Sequence, residues 1–329
     1  MPAAHRVHDD QPLASMSLAK VPVADYIGHQ ILKPVAVKKQ SNKLWTYGDG
    51  TFFTAAPAAG QLLFQRGPGS SYQRYEWDIS AATSYYCENY GLEIVCSDEE
   101  VANADDGIDI RATNGALVAS HLMNAQEQRY AALLFDTATT FLSYTSTPTA
   151  KWDADTAQPW DDRTTAVESM MANGTYDPLR NDLVFATGIQ AWHRFARNPF
   201  LVDAIKHTRD ASVITREDFR QYLQVDKFLV GAGTYNTADD GQPISLGYIW
   251  GDYGGFYSVP KGTPGLKQPS LGYSPVWTGM GGSIANLGYG TRTYRDDTVR
   301  GEVIQGDNYV DEVVTQAPAG YVFSDLTDA

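Results

Sequence analysis

Between Val21 and Ile79 the chain carries apolar side chains that water tolerates poorly, in an order that builds no core of its own. Val21, Val23, Tyr26, Ile27, Ile31, Leu32, Val35 and Val37 follow one another without a clear period, and Pro2, Pro12, Pro22 and Pro34 recur through residues 1–42. That pattern predicts an extended arm rather than a packed domain, and one that needs a surface to lie on. Leu44 to Tyr47 then reads as a strand, Gly48-Asp49-Gly50 as a turn signal, and Ala55 to Ser71 is rich in Ala, Gly, Pro and Ser. From Tyr72 to Ile79 the chain alternates: Tyr72, Arg74, Glu76 and Asp78 on one side, Tyr75, Trp77 and Ile79 on the other. A period of two predicts a strand, so 44–96 reads as a long hairpin with a small-residue tip. A two-stranded hairpin is marginal alone, so it too needs a foreign surface.

The remainder has stronger local signals. Ser97 followed by Asp98-Glu99-Glu100 is a capping box that opens helical structure over 97–137, interrupted at Asn103 to Gly107. Leu122, Met123, Ala125, Gln126, Tyr130, Leu133 and Leu134 give a stripe at helical spacing, predicting a helix from Asn114 to Asp136. About 22 residues at 1.5 Å each make a rod on the order of 33 Å long. Residues 138–158 form a Thr-, Ser- and Ala-rich connection holding Phe141, Tyr144 and Trp152. Helices are predicted at 161–173, closed by Asn173-Gly174, at 188–196, and at 199–207, opened by Asn198-Pro199. Another begins at Thr215, ahead of Arg216-Glu217-Asp218. Strands are predicted at Asn181 to Thr187, Val225 to Val230, Tyr289 to Tyr294, Val299 to Gln305, Tyr309 to Thr315 and Gly320 to Phe323, with a loop at 231–243.

Composition bounds the function classes. Hydrophobic residues make up 43% of the 329, enough for a sizeable core and too many for a disordered chain. The net charge of −14 argues against tight non-specific DNA binding, which requires cations to neutralise phosphates. No run of apolar residues is long enough to span a bilayer as a helix. Met1 to Asp10 is polar and predicts no secretory signal. Cys87 and Cys96 are too few for a disulfide framework or a thiolate metal site, and read as free thiols.

Chemistry-bearing patterns are weak. The six histidines include no pair at metal-ligand helical spacing, and no nucleophile elbow or phosphate-binding loop occurs. Gly231-Ala232-Gly233 follows a predicted strand but lacks the third glycine and the helix of a dinucleotide site. Asn103, Asp105, Asp106, Gly107 and Asp109 lack the closing Glu of a calcium loop. The pairs Asp161-Asp162 and Asp239-Asp240 are what a carboxylate-dependent glycan hydrolase would need, yet adjacent acids at a helix start or in a loop are ordinarily solvated. Seven Trp and 20 Tyr suit protein interfaces as well as sugar stacking. The residues point to an assembly subunit, with no cofactor and no catalytic set.

The order arm, hairpin, long helix, α/β block, long strands resembles the major capsid proteins of tailed bacteriophages, the Hong Kong 97-type family. Glu93 to Asp105 is similar to that family's acidic link into its spine helix, and Ala112-Thr113 with Leu117 to Glu127 and Ala131 resembles the spine helix itself. Pro178 to Gly188 with Trp192 to Lys206, Val225 to Gly231 with Tyr235-Asn236, and Ile249-Trp250-Gly251 with Phe256-Tyr257 resemble axial-domain segments. The likeness runs over about 20–325 and rests on the order of many weak matches.

The resemblance implies an α+β fold divided into an N-terminal arm (1–43), an extended-loop hairpin (44–96), a peripheral domain with the spine helix (97–140), an axial domain (141–280) and peripheral strands with the C-terminus (281–329). It implies self-assembly, without enzymatic activity, into hexamers and pentamers of an icosahedral head. That head would enclose DNA without gripping it, be built in the host bacterial cytoplasm, and end in the virion. A separate scaffolding protein, a portal and a decoration protein are the further partners implied, with no membrane. The crosslinking Lys and Asn pair of some members has no match, so assembly is expected to be non-covalent. The expected inter-subunit contacts are Lys33, Lys38 and Lys39 on the arm; Trp45, Tyr47, Phe52, Arg66, Arg74 and Trp77 on the hairpin; and Tyr235, Asn236, Asp239 and Asp240 on the axial loop. Two rivals remain: an encapsulin-like compartment that loads protein instead of a genome, and the soluble hydrolase.

Overall fold

The computed structural model describes residues 25–47, 53–54, 64–72, 74, 79–104, 109–206, 214–239, 241–262, 269–279 and 288–328. Its backbone is a long helix laid across one sheet and joined at its end to a second, helix-covered sheet. The elements in chain order are α1 (Gly28–Ile31), β1 (Lys33–Val37), β2 (Ser41–Tyr47), β3 (Ile79–Tyr86), β4 (Glu88–Ser97), α2 (Asp98–Asn103) and α3 (Ile110–Leu134). They continue with β5 (Thr145–Ser146), α4 (Pro159–Ala172), β6 (Asn181–Gly188), α5 (Ile189–Phe195), α6 (Pro199–Lys206), α7 (Arg216–Tyr222), β7 (Lys227–Gly231), β8 (Thr234–Asn236) and β9 (Leu246–Tyr248). The chain closes with β10 (Gly254–Pro260), β11 (Gly272–Trp277), β12 (Tyr289–Asp296), β13 (Gly301–Val310), β14 (Val313–Val314) and β15 (Gly320–Phe323).

The first sheet is built on β13, flanked along its length by antiparallel β12 and β4. A single bridge, Val276 to Val310, ties this ribbon to β11, which carries β14 antiparallel and β1 parallel. Helix α3 crosses the ribbon with Val118 and Leu122 inward. Gly306 permits that approach: a Cβ there would sit 2.6 Å from Val118. The gap anticipated between strands 299–305 and 309–315 is therefore absent, and β13 runs unbroken through it. Glycine here serves the close approach of a helix, not a turn.

The second sheet has the order β5-β15-β10-β6-β7, with β6 and β7 parallel. Its core is aromatic: Trp152, Phe185, Trp192, Phe195, Phe219 and Phe256 cluster together, Phe185 and Phe256 with ring centroids 4.6 Å apart. Local signals mark most of the helices that cover it, although α4 starts at Pro159, two residues before the expected 161. Pro159 opens α4, Thr215 and Asp218 form a capping box on α7, and Gly174 closes α4 at φ +67. The same holds for α2, where Ser97 and Glu100 cap reciprocally. Helix α3 starts four residues earlier than its apolar stripe suggests, because Asp109 accepts from the backbone N–H of Ala112 and caps it there.

Two expectations are corrected, and a third, the strand expected over 72–79, lies mostly outside the described residues: Tyr72 and Arg74 are in irregular chain, and β3 is described from Ile79, paired with Tyr47. The loop 231–243 contains β8, which pairs with β9. The apolar residues of the arm find cover within the chain itself: Ile27, Ile31 and Leu32 are buried with Tyr130, Leu134, Trp250 and Tyr257. Sheet membership also crosses the sequence blocks, since β1 and β11 lie in the first sheet while β15, near the C-terminus, lies in the second.

Candidate assembly surfaces

The hairpin β2–β3 projects from a well-fastened root. Cys87 N–H donates to the Gln40 carbonyl at 2.9 Å and Gln40 Nε2 to the Cys87 carbonyl at 3.0 Å. Tyr86 N–H donates to Asp311, and Trp277 Nε1 to the Lys38 carbonyl. Tyr85, Cys87 and Val313 pack beneath these bonds, with Val37, Leu44 and Trp277 beside them. Burial pushes the Cys87 thiol up to about 11, so it is a packing group, not a nucleophile. Cys96 is also buried and free.

Beyond the root the described hairpin residues are largely exposed. Trp45 is 59% exposed, Phe53 and Phe64 more so, with Phe53 also lying against Gly174 at the end of α4, and Tyr72 stacks with the Arg66 guanidinium, 4.3 Å above its ring. Arg66 and Arg74 are themselves exposed. Tyr47 ends the β2 ladder; Phe52 and Trp77 lie outside the described residues. Large aromatics left in water on a projecting element are the usual mark of an interface.

On the arm the basic residues divide. Lys38 and Lys39 are exposed, while Lys33 Nζ donates to the carbonyls of Pro260 at 2.6 Å and Gly262 at 3.1 Å in the same chain. Burial and then the nearby Lys227 lower its pKa.

The β8–β9 hairpin presents a third exposed surface. Asn236 Oδ1 accepts from the N–H groups of Ala238 and Ser245 and so shapes the turn, Tyr235 is half-buried, Asp239 is exposed, and Asp240 lies outside the described residues. The sequence reading passed over Ile244, Leu246 and Tyr248, which stand exposed on the return side, Ile244 at 68%. Their alternate spacing was the available signal.

It also missed the buried polar joints. Arg129 on α3 forms a two-pronged pair with Glu312, both contacts at 3.2 Å, and lies 3.7 Å over the Tyr90 ring of β4. Burial raises the Glu312 pKa and Arg129 draws it back. Glu127, also on α3, is 2% exposed. Burial raises its pKa too, and hydrogen bonds from Ile27, Trp250 and Gly28 oppose that rise.

The Asp161-Asp162 pair takes an ordinary role. Asp162 is buried as the acceptor of Trp152 Nε1 at 2.7 Å, while Asp161 faces solvent. Among the described residues no cluster of His, Cys, Asp and Glu has metal-holding geometry, and no helix is long and apolar enough to cross a membrane.

No known family profile matches the chain. Among curated proteins, the major capsid protein of Pseudomonas phage JBD67 is 22% identical over 307 residues, covering 92% of each chain. A phage-related protein from Bordetella bronchiseptica RB50 superposes with a TM-score of 0.67 at 21% identity, over 92% of this chain and 93% of that one. The capsid of cyanophage P-SCSP1u superposes at 0.58 with 12% identity, over 94% and 90%. The chain has the Hong Kong 97-type capsid fold. An encapsulin complex from Synechococcus elongatus PCC 7942 shares that fold at a TM-score of 0.51 and 10% identity, over 97% and 95%.

Proposed function

We infer that this chain is the major capsid protein of a tailed phage, the structural subunit whose copies form the head shell around the genome. The observation that carries the reading is end-to-end likeness to a phage major capsid protein on a shared capsid fold. Physical chemistry supports it. We read β2–β3 as the extended loop, α3 as the spine helix, the β13 sheet as peripheral, the β10 sheet as axial and β8–β9 as the axial hairpin. The extended loop, the arm side of its root and the axial hairpin carry exposed aromatic, aliphatic and basic side chains that the chain's own core leaves uncovered.

The finer assignments are proposals on the same footing. Lys38, Lys39, Trp45, Tyr47, Phe52, Arg66, Arg74 and Trp77 meet an adjacent copy. Tyr235, Asn236, Asp239 and Asp240 face the axis of a hexamer or pentamer. Lys33, held by two carbonyls of its own chain, contributes by fixing the arm beside those contacts. The blocks 1–43, 44–96, 97–140, 141–280 and 281–329 act as arm, extended loop, spine-helix region, axial domain and closing peripheral strands. Assembly is non-covalent, proceeds in the bacterial cytoplasm with a separate scaffolding protein, portal and decoration protein, and ends in the virion.

The test is negative-stain microscopy and sedimentation of the purified chain, expressed with and without its neighbouring genes. Closed shells, tubes or rings of six are the expected products. A monomer under every condition overturns the reading. Because the encapsulin shares the fold, shell contents separate the two: nucleic acid for a capsid, a protein cargo for a compartment.

A further inference from the structure

Glu127 sits in the second half of the spine helix, 2% exposed, and holds three donors. Its Oε1 accepts from Ile27 N–H at 2.7 Å and from Trp250 Nε1 at 2.8 Å, and Gly28 N–H lies 3.1 Å from both oxygens. Ile27 and Gly28 begin α1, a single turn with no capping side chain of its own. The first N–H groups of a helix need an acceptor. Here a carboxylate a hundred residues away supplies it. One turn further along α3, Tyr130 fills the space where a Cβ of Gly28 would stand, 2.4 Å from the ring. The arm therefore meets the spine helix backbone to side chain, with no room to slide.

Trp250 brings a second element to the same carboxylate. It follows β9, the return strand of the axial hairpin, and its ring packs against Gly231 at the end of β7, where a Cβ would lie 2.2 Å away. Asn124, one turn before Glu127 on the helix, donates to the Thr234 carbonyl at 2.8 Å, at the start of β8. Ile249 N–H closes the base of that hairpin on the Gly233 carbonyl at 3.0 Å. Among the described residues no cation is bonded to Glu127; its partners there are the three N–H groups, and Asp25 is a like charge nearby. A core that needed only burial here would be served by an apolar residue. A carboxylate with converging donors defines a position instead.

We propose that Glu127 is a positioning residue that references the arm and the axial hairpin to one point on the spine helix, so that both are presented to neighbouring copies in fixed relation. The joint is a property of the single chain; only its consequence for shells rests on the capsid reading.

The experiment is residue-resolved hydrogen exchange on the unassembled full-length chain. Glu127→Gln places an amide N–H against the donors. Exchange at Ile27 and Gly28, and at Ile249, should rise at least tenfold, with β6 and β10 unchanged. Trp250→Phe should raise exchange at Ile249 and leave Ile27 and Gly28 protected. If Glu127→Gln does not give a soluble chain, Glu127→Asp, which keeps the charge and shortens its reach, is read by the same criteria. Unchanged exchange at Ile27 and Gly28, a response confined to the arm, or an equal rise in every strand each overturns the proposal. Exchange reads the joint whether or not shells form. Where wild-type chains close into shells, Glu127→Gln should give misclosed or polymorphic particles by sedimentation. Uniform wild-type shells from a chain with a loosened joint overturn the positioning role, whereas failure of wild-type chains to assemble overturns the capsid reading instead.

Discussion

Burial decides the protonation of His29. Its Nδ1 is enclosed without a hydrogen-bond partner among the described residues, and desolvation lowers its pKa from 6.5. A lowered pKa means the folded arm prefers the neutral ring. That contribution is complete above pH 6.5 and is lost as pH falls from there through the folded-state value. Glu127 and Glu312 run the other way: both are raised from 4.5, so they contribute below that value and the contribution is lost as pH rises through their folded values. The arm's exchange protection is expected to weaken as pH falls below 6.5 in the wild type and much less in His29→Gln. Equal slopes in the two proteins would show that another group titrates. His29, Glu127 and Lys33 share a lesson. In the sequence each is a polar letter in an unremarkable run; its role depends on which distant backbone groups reach it.

At the scale of elements, the hairpin is separable from the fold. Its root is bonded to β11 and to the β13–β14 connection, but its tip adds nothing to either sheet among the described residues. Tyr47 and Ile79 are direct partners, so an Asn-Gly turn can replace 48–78 and close the ladder. The shortened chain should unfold cooperatively with stability within about 1 kcal/mol of wild type, as expected for a change away from the core. It should form no closed shell by microscopy, because the exposed aromatics of the tip are gone. Loss of cooperative unfolding would mean the tip is part of the core. Helices were legible because their signals are local: Ser97-Glu100, Asn198-Pro199, Thr215-Asp218 and Asn173-Gly174 each lie within a few residues of the end they mark. The strand ends were not. β13 runs on to Val310, past the expected end at Gln305, because β4 pairs with it that far, and a strand exists only as far as a partner runs beside it.

At the scale of the whole molecule, charge governs association. Each copy carries −14, and like-charged copies repel at low ionic strength. Raising salt from about 20 to 200 mM shortens the screening length from roughly 20 Å to 7 Å. Light scattering should then show faster assembly. Slower assembly would mean that local opposite-charge contacts, such as those available to Lys38 and Lys39, outweigh the net repulsion. The same excess of negative charge suits a container that encloses DNA without gripping it.

The sequence alone carried the order of the elements, most helix positions, the acidic balance and the absence of a recognisable catalytic pattern. These follow from short-range chemistry: a cap, a period, a sum of charges. The likeness to capsid proteins was legible for the same reason, since it rests on element order. Tertiary structure decided what is non-local. It paired β1 with β11 across more than two hundred residues, carried β15 into the β10 sheet, and kept β13 whole where Gly306 meets α3. It also buried Ile27 to Leu32 on their own subunit and set Glu127 against Ile27, Gly28 and Trp250. No window along the chain holds both partners of such contacts. They are chosen by which surfaces remain to be covered, and which buried N–H groups still lack an acceptor, once the helices and sheets have packed.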